Sequence, residues 1–470
     1  TVPVLLLKGQ VLEESLDIMR WALQHNDAEA AKRQLQGAYT SATTRRSFTK
    51  TRAGEVQGRP LLYTLAGLYG GVNDVIHDLA WHEWMIDANK IFRDEEIAQA
   101  LSDYYGADVR NNIQGALQAI AGGDRAARDH TTDIALMARS NVSRAVMGWS
   151  LTTAFLQPFG LMQSMARNGV GQVLSGVGRF MGTPKHMSET LAMIDEKSPM
   201  MRHRSKTMSR ELYEISNIVR GKSKGMRVFD ASLFYLTTKL QAIADVPTWL
   251  GAYNKALQER PQDEQRAIDL ADRAVIEAQG SGSNKDLAKV QRDHPFLTQF
   301  MSYFSAGYQI AVEKTKFTDF KNPRAVAGWA ADMALLAILP AILPNLIMHL
   351  LRGGDADDPE KLAKEMAKWQ AQFLLSPIVY ARDASAIVAG FDYTGPPATR
   401  IFSDLGKLSK QAMQGEVDEP LMLAMFNVAG DLTGIPTAQL SRSYRGWVAW
   451  DEGKEGAGPM SVLVGPPPKP

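Results

Sequence analysis

The chain has 470 residues and sets 52 Lys and Arg against 51 Asp and Glu, a net charge of +1, so no global field draws it to nucleic acid or membrane and any such surface must be local. It has no cysteine, which excludes disulfides, thiolate nucleophiles, zinc–thiolate sites and iron–sulfur ligation. The length suits about two to four domains or one elongated helical assembly.

The chain opens Thr1-Val2-Pro3-Val4, without Met and without the n-region and cleavage site of a signal peptide, and reads as a piece of a larger protein. Alternating β-branched runs are scarce and helical periodicity recurs, which predicts an all-α fold with essentially no β-sheet. Four regions are predicted. They are amphipathic helices over 1–123, a small-residue-rich helical hairpin with a basic cluster over 124–225, a central helical region over 226–320, and a hydrophobic hairpin region with a Pro-rich tail over 321–470.

In the first region Leu12, Leu16, Met19 and Leu23 fall at i, i+4, i+7 and i+11 behind Glu13 and Glu14, which predicts a helix. A longer helix is predicted from Pro60 to Phe92, with Gly70-Gly71 as a kink. It carries His77, His82 and Glu83. That spacing sets the histidines about 140° apart around the helix, so it is not the zincin pattern; they read as ordinary helix residues and no metal site is assigned.

From Asp124 the chain loses charge and gains small residues. Ala145–Met165 is apolar but broken by Gln157-Pro158 and Gly160. Gly169, Gly171, Gly176 and Gly178 fail the dinucleotide fingerprint, whose third glycine would come earlier and which would follow a strand. Close helix packing is the reading taken. The strongest basic run follows: Arg202, Arg204, Lys206, Arg210, Arg220, Lys222, Lys224 and Arg227, diluted by Glu211 and Glu214. Such a cluster suits the phosphates of nucleic acid or of anionic lipid, and it equally suits a solvated face. Gly221-Lys222-Ser223 lacks the upstream glycine and the strand of a P-loop, so no nucleotide cofactor is assigned.

Phe229–Leu240 reads as helix, with a break at Val246-Pro247. Pro261 opens another, in which Ile268, Ala271, Val275 and Ala278 form one stripe, Asp269 and Arg273 pair, and Gly280 closes. Gln279–Asn284 reads as a turn. Phe296–Ile310 is an aromatic stripe of core character, and Lys314, Lys316, Lys321 and Arg324 then precede the most apolar stretch of the chain.

That stretch, Met333–Leu351, holds no acid, lysine or arginine and would span about 28 Å as a helix, near a bilayer's hydrocarbon thickness. Its ten Leu and Ile residues favour insertion by about 3 to 6 kcal/mol, while Pro340, Pro344, Asn345 and His349 oppose it. A kinked core helix and a segment that exchanges protein for lipid both fit. The acids of Gly354-Asp-Ala-Asp-Asp358 suit the N-terminus of a helix opened by Pro359 rather than a calcium loop. In that helix Leu362, Met366, Trp369 and Phe373 share a face. A second apolar stretch, Phe373–Phe391, is expected to form a hairpin with the first. Its assigned residues are Leu335, Leu336, Ile338, Leu339, Pro340, Leu343, Pro344, Leu346, Phe373, Leu374 and Leu375. The tail, ending Gly465–Pro470, is expected to be extended or disordered. No Ser/His/Asp set or paired carboxylate motif is visible, and no catalytic residue is assigned.

Six blocks occur in order: Thr153-Ala-Phe-Leu-Gln157-Pro158-Phe-Gly160-Leu161; Glu196-Lys-Ser198-Pro199-Met200-Met201-Arg202-His-Arg204; Asp245-Val-Pro247-Thr-Trp249-Leu-Gly251-Ala-Tyr253; Gln279-Gly280-Ser281-Gly282 with Lys285-Asp286-Leu287 and Val290-Gln291-Arg292; Asp392-Tyr393-Thr-Gly395-Pro396; and Gly465-Pro466-Pro467. Together they resemble the C-terminal region of the large internal virion proteins of phages and of related phage polyvalent proteins, over about residues 140 to 470. The resemblance implies a non-enzymatic protein packaged inside the virion. Such a protein leaves ahead of the genome and helps form an oligomeric conduit across the host envelope, in the periplasm and inner membrane. It implies as partners other copies of the chain, other ejection, core or portal proteins, the host membrane and the DNA backbone. A purely architectural core or portal-associated protein, and a delivered enzyme or toxin module, are the alternatives.

Overall fold

The computed structural model describes residues 84–106, 108–122, 130–209, 224–282, 301–354, 358–375 and 419–468, with strands at 5–7 and 10–12 and isolated positions besides. It divides into two compact units, Thr1–His130 and Thr131–Pro470. The fold is all-α apart from one small ladder.

In the first unit, strands β1 (Leu5–Leu7) and β2 (Gln10–Leu12) pair antiparallel, Leu5 opposite Leu12. Leu12 therefore does not begin a helix, because the ladder satisfies a backbone that a helix N-terminus would leave bare. The rest of that stripe lies outside the described residues, as do His77, His82 and Glu83. Residues 84–93 are helical, followed by α1 (Glu95–Tyr105) and α2 (Val109–Gly122). Asp94 starts α1 by accepting from the Glu96 and Ile97 amides, with Glu95 and Glu96 in the first turn favoured by the helix dipole. Met85, Ala88 and Leu117 form the core of this unit.

The second unit contains α3 (His130–Met147), α4 (Leu151–Leu156), α5 (Gly160–Asn168), α6 (Val170–Phe180), α7 (Pro184–Lys197), α8 (Pro199–Thr207), α9 (Lys224–Leu233) and α10 (Tyr235–Glu259). After them come α11 (Glu264–Gln279), α12 (Ser302–Phe317), α13 (Pro323–Met333), α14 (Leu339–Leu351), α15 (Pro359–Leu375), α16 (Glu419–Thr433), α17 (Thr437–Asp451) and α18 (Pro459–Val464). Helix α10 is central. It packs against α4, α5, α6 and α11, and an unbroken run from Ala244 to Gly251 is buried. Phe180, Ile194, Met201, Val246, Trp249, Leu250, Ile268, Ala271 and Val275 form the main apolar cluster.

The expected break at Val246-Pro247 is absent, and α10 runs straight through it. An interior proline costs roughly 3 kcal/mol. Burying Val246, Trp249 and Leu250 on either side returns about 1.5 to 3 kcal/mol each, so tertiary packing wins. The packing is close. A Cβ at Gly176 of α6 would overlap the Pro247 carbonyl oxygen, and one at Gly251 of α10 would overlap the Gln172 carbonyl oxygen. The glycine run is thus a helix-crossing device, but only at Gly176; Gly171 and Gly178 face open space.

Helix α11 matches its sequence pattern. Ile268, Ala271, Val275 and Ala278 are buried and Gly280 ends it at φ +75°. Two details differ: Asp263, not Pro261, sets the start by accepting from the Arg266 amide, and Arg273 pairs with Glu277 rather than Asp269. Glu277 also takes Arg167, so it is the stronger anionic site, while Asp269 accepts from Gln265.

Replacing Gly176 with alanine is expected to lower stability by about 1 to 3 kcal/mol through overpacking. Replacing Gly178, in the same helix with nothing near it, is expected to raise stability by about 0.5 to 1 kcal/mol. Thermal unfolding of the two variants beside the parent chain measures both; equal effects would rule out the crossing at Gly176.

Candidate functional site: an apolar hairpin on a buried polar network

Residues 323 to 351 form one continuous helix in which α13 passes into α14 through a π turn, Ala334–Ile338. The turn has a local cause. Pro340 has no N–H, and its ring would clash with the carbonyl four residues back. Widening the helix so that the Leu339 amide bonds to the Ala334 carbonyl, five residues back, relieves this. Side-chain amides add donors around the prolines. Gln370 Nε2 of α15 donates to the Ala337 carbonyl at 3.0 Å, and Asn345 Nδ2 donates to the Ala341 carbonyl at 2.8 Å.

Of the assigned apolar residues, Leu336, Pro340 and Pro344 are buried; Leu335, Leu339, Leu343 and Leu346 are half-buried; Ile338 is exposed. Leu336 packs with Ile310 of α12 and Ala166 of α5. Helix 323–351 is long and apolar enough to cross a membrane, yet only 28% of its most apolar window is buried. A core helix would be mostly enclosed. This one keeps Ile338, Ile347 and Leu350 in solvent.

The expected partner stretch, Phe373–Phe391, is described only as far as Leu375. The observed partner of α14 is α15, reached through Arg352-Gly353-Gly354. Asp358 accepts from the Glu360 and Lys361 amides, so the acidic loop does start that helix. Trp369 is buried with its ring edge-on to His349, and Phe373 packs edge-on to Phe304. Phe373 and Leu375 are half-buried, Leu374 exposed. The far end of α14 is held by the C-terminus: Arg352 Nε donates to the Val464 carbonyl at 2.9 Å, and Gly353 and Gly456 meet backbone to backbone. Burial holds the Arg352 guanidinium below its ordinary pKa. The tail is not disordered through Pro468; Gly465 is buried against Arg442.

Behind the hairpin lies a network missed in the sequence reading. Asp245 of α10 accepts from Arg204 Nε at 2.9 Å and from Gln241 Nε2 at 2.8 Å, and the Arg204 and Asp245 side chains are 5% and 3% exposed. Arg204 Nη1 donates to the Gly280 carbonyl, Gln279 Nε2 to the Gly160 carbonyl and to Ser164 Oγ, each at 2.7 Å. Ser198 Oγ and Trp249 Nε1 both donate to Asp272. Segments of four of the six sequence blocks set out above converge here: Gln157–Gly160, Ser198–Arg204, Asp245–Tyr253 and Gln279–Gly282. The legible signal was Gln241 and Asp245, four residues apart on an otherwise buried helix.

The basic run does not form one surface. Arg204 is a buried ion-pair partner, and Arg202 closes α7 by donating to the Asp195 carbonyl. Lys206 and Arg227 are exposed, the side chain of Lys224 is not described, and Arg210, Arg220 and Lys222 lie outside the described residues. Phosphate contact through Arg204 is ruled out by its burial. Among the described residues no cluster of acids and histidines is arranged to hold a metal ion.

Arg167 couples the core to the hairpin, donating to Glu277 of α11 and to Glu313 of α12, each at 2.8 Å. Burial alone would raise the Glu277 carboxyl, but hydrogen bonds from Arg273 and Arg167 outweigh it and hold the pKa below the carboxylate norm.

No family model, curated protein or solved structure matches the chain.

Arg204→Ala is expected to cost about 3 to 5 kcal/mol, since it strands a buried Asp245, while Lys206→Ala changes stability by less than about 0.5 kcal/mol; urea unfolding separates them. A depressed carboxylate contributes stability above its unfolded pKa and loses it as pH falls through the folded value. Glu277→Gln should therefore be less stable than the parent at pH 7 and converge on it in acid below the ordinary Glu range. A constant gap across that range would show that the charge is irrelevant.

Proposed function

We propose that the chain is part of a phage internal virion protein, ejected with or ahead of the genome, whose copies line a conduit for DNA across the host envelope. The role is structural rather than enzymatic. The observation that carries it is helix 323–351: a span-length apolar helix whose most apolar window is 28% enclosed. A protein that travels soluble and then meets lipid needs such a segment, because full burial would trap it and full exposure would aggregate it. The carbonyls freed by Pro340 and Pro344 cannot be left bare in lipid. Helix α15, which supplies Gln370 to the π turn, therefore enters with α14 as a pair. The six sequence blocks add the resemblance to phage virion proteins, and the local cations Lys206 and Arg227 suit lipid head groups or the DNA backbone. Other copies of the chain and other core or portal proteins are the expected partners, first in the virion interior and then at the periplasm and inner membrane.

Flotation of the purified chain with anionic liposomes, in low and high salt, together with dye release, tests this reading. Binding and leakage that survive high salt are expected. A chain that stays monomeric and ignores liposomes in every condition overturns it. Leu343→Asp, a charge costing roughly 2.5 to 3.5 kcal/mol at a bilayer centre, is expected to abolish leakage and to yield particles that assemble without infecting. Loss of particle assembly instead would assign the apolar helix to a permanent protein interface, the architectural alternative.

A further inference from the structure

The hairpin of α12 and α13 projects from the core. Ile310 and Leu336 close its base in one apolar cluster, and no residue from 311 to 335 is buried. Such a projection should carry a polar tip. This one carries Phe317, 72% exposed, and Phe320, 53% exposed, with Val312 and Tyr308 exposed behind them.

The rings are held by a formed turn. Trp329 Nε1 donates to Thr315 Oγ1 at 2.9 Å and stands edge-on to Phe320 at 5.4 Å. Asp319 accepts from the Lys321 amide, and Asn322 starts α13 by accepting from the Arg324 amide. The tip therefore presents its aromatics without a large ordering cost on contact.

Charge at the tip is one-sided. The acids nearer the core are neutralised, Glu313 by Arg167 and Asp332 by Lys314. Residues 315 to 324 carry three exposed cations, Lys316, Lys321 and Arg324, and one carboxylate, Asp319. Lys316 lies 5.7 Å from the centre of the Phe317 ring. A protein interface would exclude lysine from its centre, whereas a headgroup layer accepts aromatic rings at its apolar boundary and cations at its phosphates.

We propose that residues 312–329 are a docking surface for anionic phospholipid, and that this tip meets the bilayer before the apolar helix behind it. The proposal rests on the membrane reading above and adds the lipid chemistry and the residues that recognise it. Phe317 and Phe320 seat in the interface; Lys316, Lys321 and Arg324 hold the phosphates. Because α13 continues unbroken into the apolar helix, a seated tip places the N-terminal end of residues 323–351 at the membrane.

The test uses the full chain with vesicles of phosphatidylcholine alone and with roughly a third phosphatidylglycerol, reading binding by co-sedimentation and insertion by dye leakage. At low salt the parent chain should bind the anionic vesicles at least about tenfold more tightly. Lys321→Glu with Arg324→Glu should lose that preference, at about fivefold or more per site. Phe317→Ser with Phe320→Ser should weaken binding to both vesicle types. All four side chains are exposed, so melting temperatures should match the parent and exclude misfolding. Tip variants that bind and leak like the parent overturn the docking surface and leave the apolar-helix reading standing. A parent chain that binds neither vesicle overturns both. Tip variants that bind vesicles normally but no longer self-associate would also overturn the lipid assignment and make the tip a contact between copies.

Discussion

The second unit depends on the buried ion pair of Asp245 with Arg204. A carboxylate at that depth is tolerated only with a cation and further donors around it, and each of these comes from a different part of the chain: Arg204 from α8, Gln241 from one turn earlier in α10. Arg204 then reaches the Gly280 carbonyl, and Gln279 ties that loop to the Gly160 carbonyl. Moving any one segment by a residue would strand a charge or a buried amide. The apolar cluster around Trp249 supplies most of the stability, since it encloses far more surface, but hydrophobic burial is non-directional. The polar network supplies register. That division explains why blocks as distant in sequence as Gln157–Gly160 and Gln279–Gly282 are adjacent in space.

The helix 323–351 obeys a different constraint. It is apolar enough to be enclosed and is not, and two prolines interrupt its hydrogen bonding. In water the freed carbonyls are solvated at little cost; in a core or in lipid they need donors. The π turn and the Gln370 amide place hydrogen bonds at the Ala334 and Ala337 carbonyls beside the first proline, from within the protein. The aromatic contact His349–Trp369 holds α15 to it, and Phe304–Phe373 holds α12 to α15. The neighbouring helices are thus part of its chemistry rather than a lid over it.

Much of this was legible in the sequence and some was not, for physical reasons. The all-α class and helix α11 followed from periodicity and caps, because the stripe Ile268–Ala278 and the closing Gly280 are local signals. Pro247 misled, because a local rule met a site where burial on both sides outweighs the lost bond. The glycine run announced close packing but not which glycine makes it, since that depends on where α10 crosses. The basic run suggested one surface because charge was counted along the chain; in space Arg204 turns inward to Asp245 and Arg202 turns back onto α7. The apolar stretch was plain, and of its expected partner stretch only Phe373–Leu375, the end of α15, lies among the described residues. The acids before Pro359 marked the start of an amphipathic helix, and its Trp369 meets His349 of α14.

The C-terminal end of the apolar helix bears on the proposed transfer to lipid. Among the described contacts there are the His349–Trp369 ring contact, one hydrogen bond from Arg352 to the Val464 carbonyl, and a backbone approach that only glycine permits at 353 and 456. A hydrogen bond to a charged group contributes about 1.5 to 3 kcal/mol. The ten Leu and Ile residues favour transfer of residues 333–351 into lipid by about 3 to 6 kcal/mol. Desolvation already disfavours the charged guanidinium where it sits, so moving Arg352 to a wet interface recovers part of the loss. Under the membrane reading, contact with a surface would have to outweigh this latch together with the packing of Leu336, Ala341 and Met348.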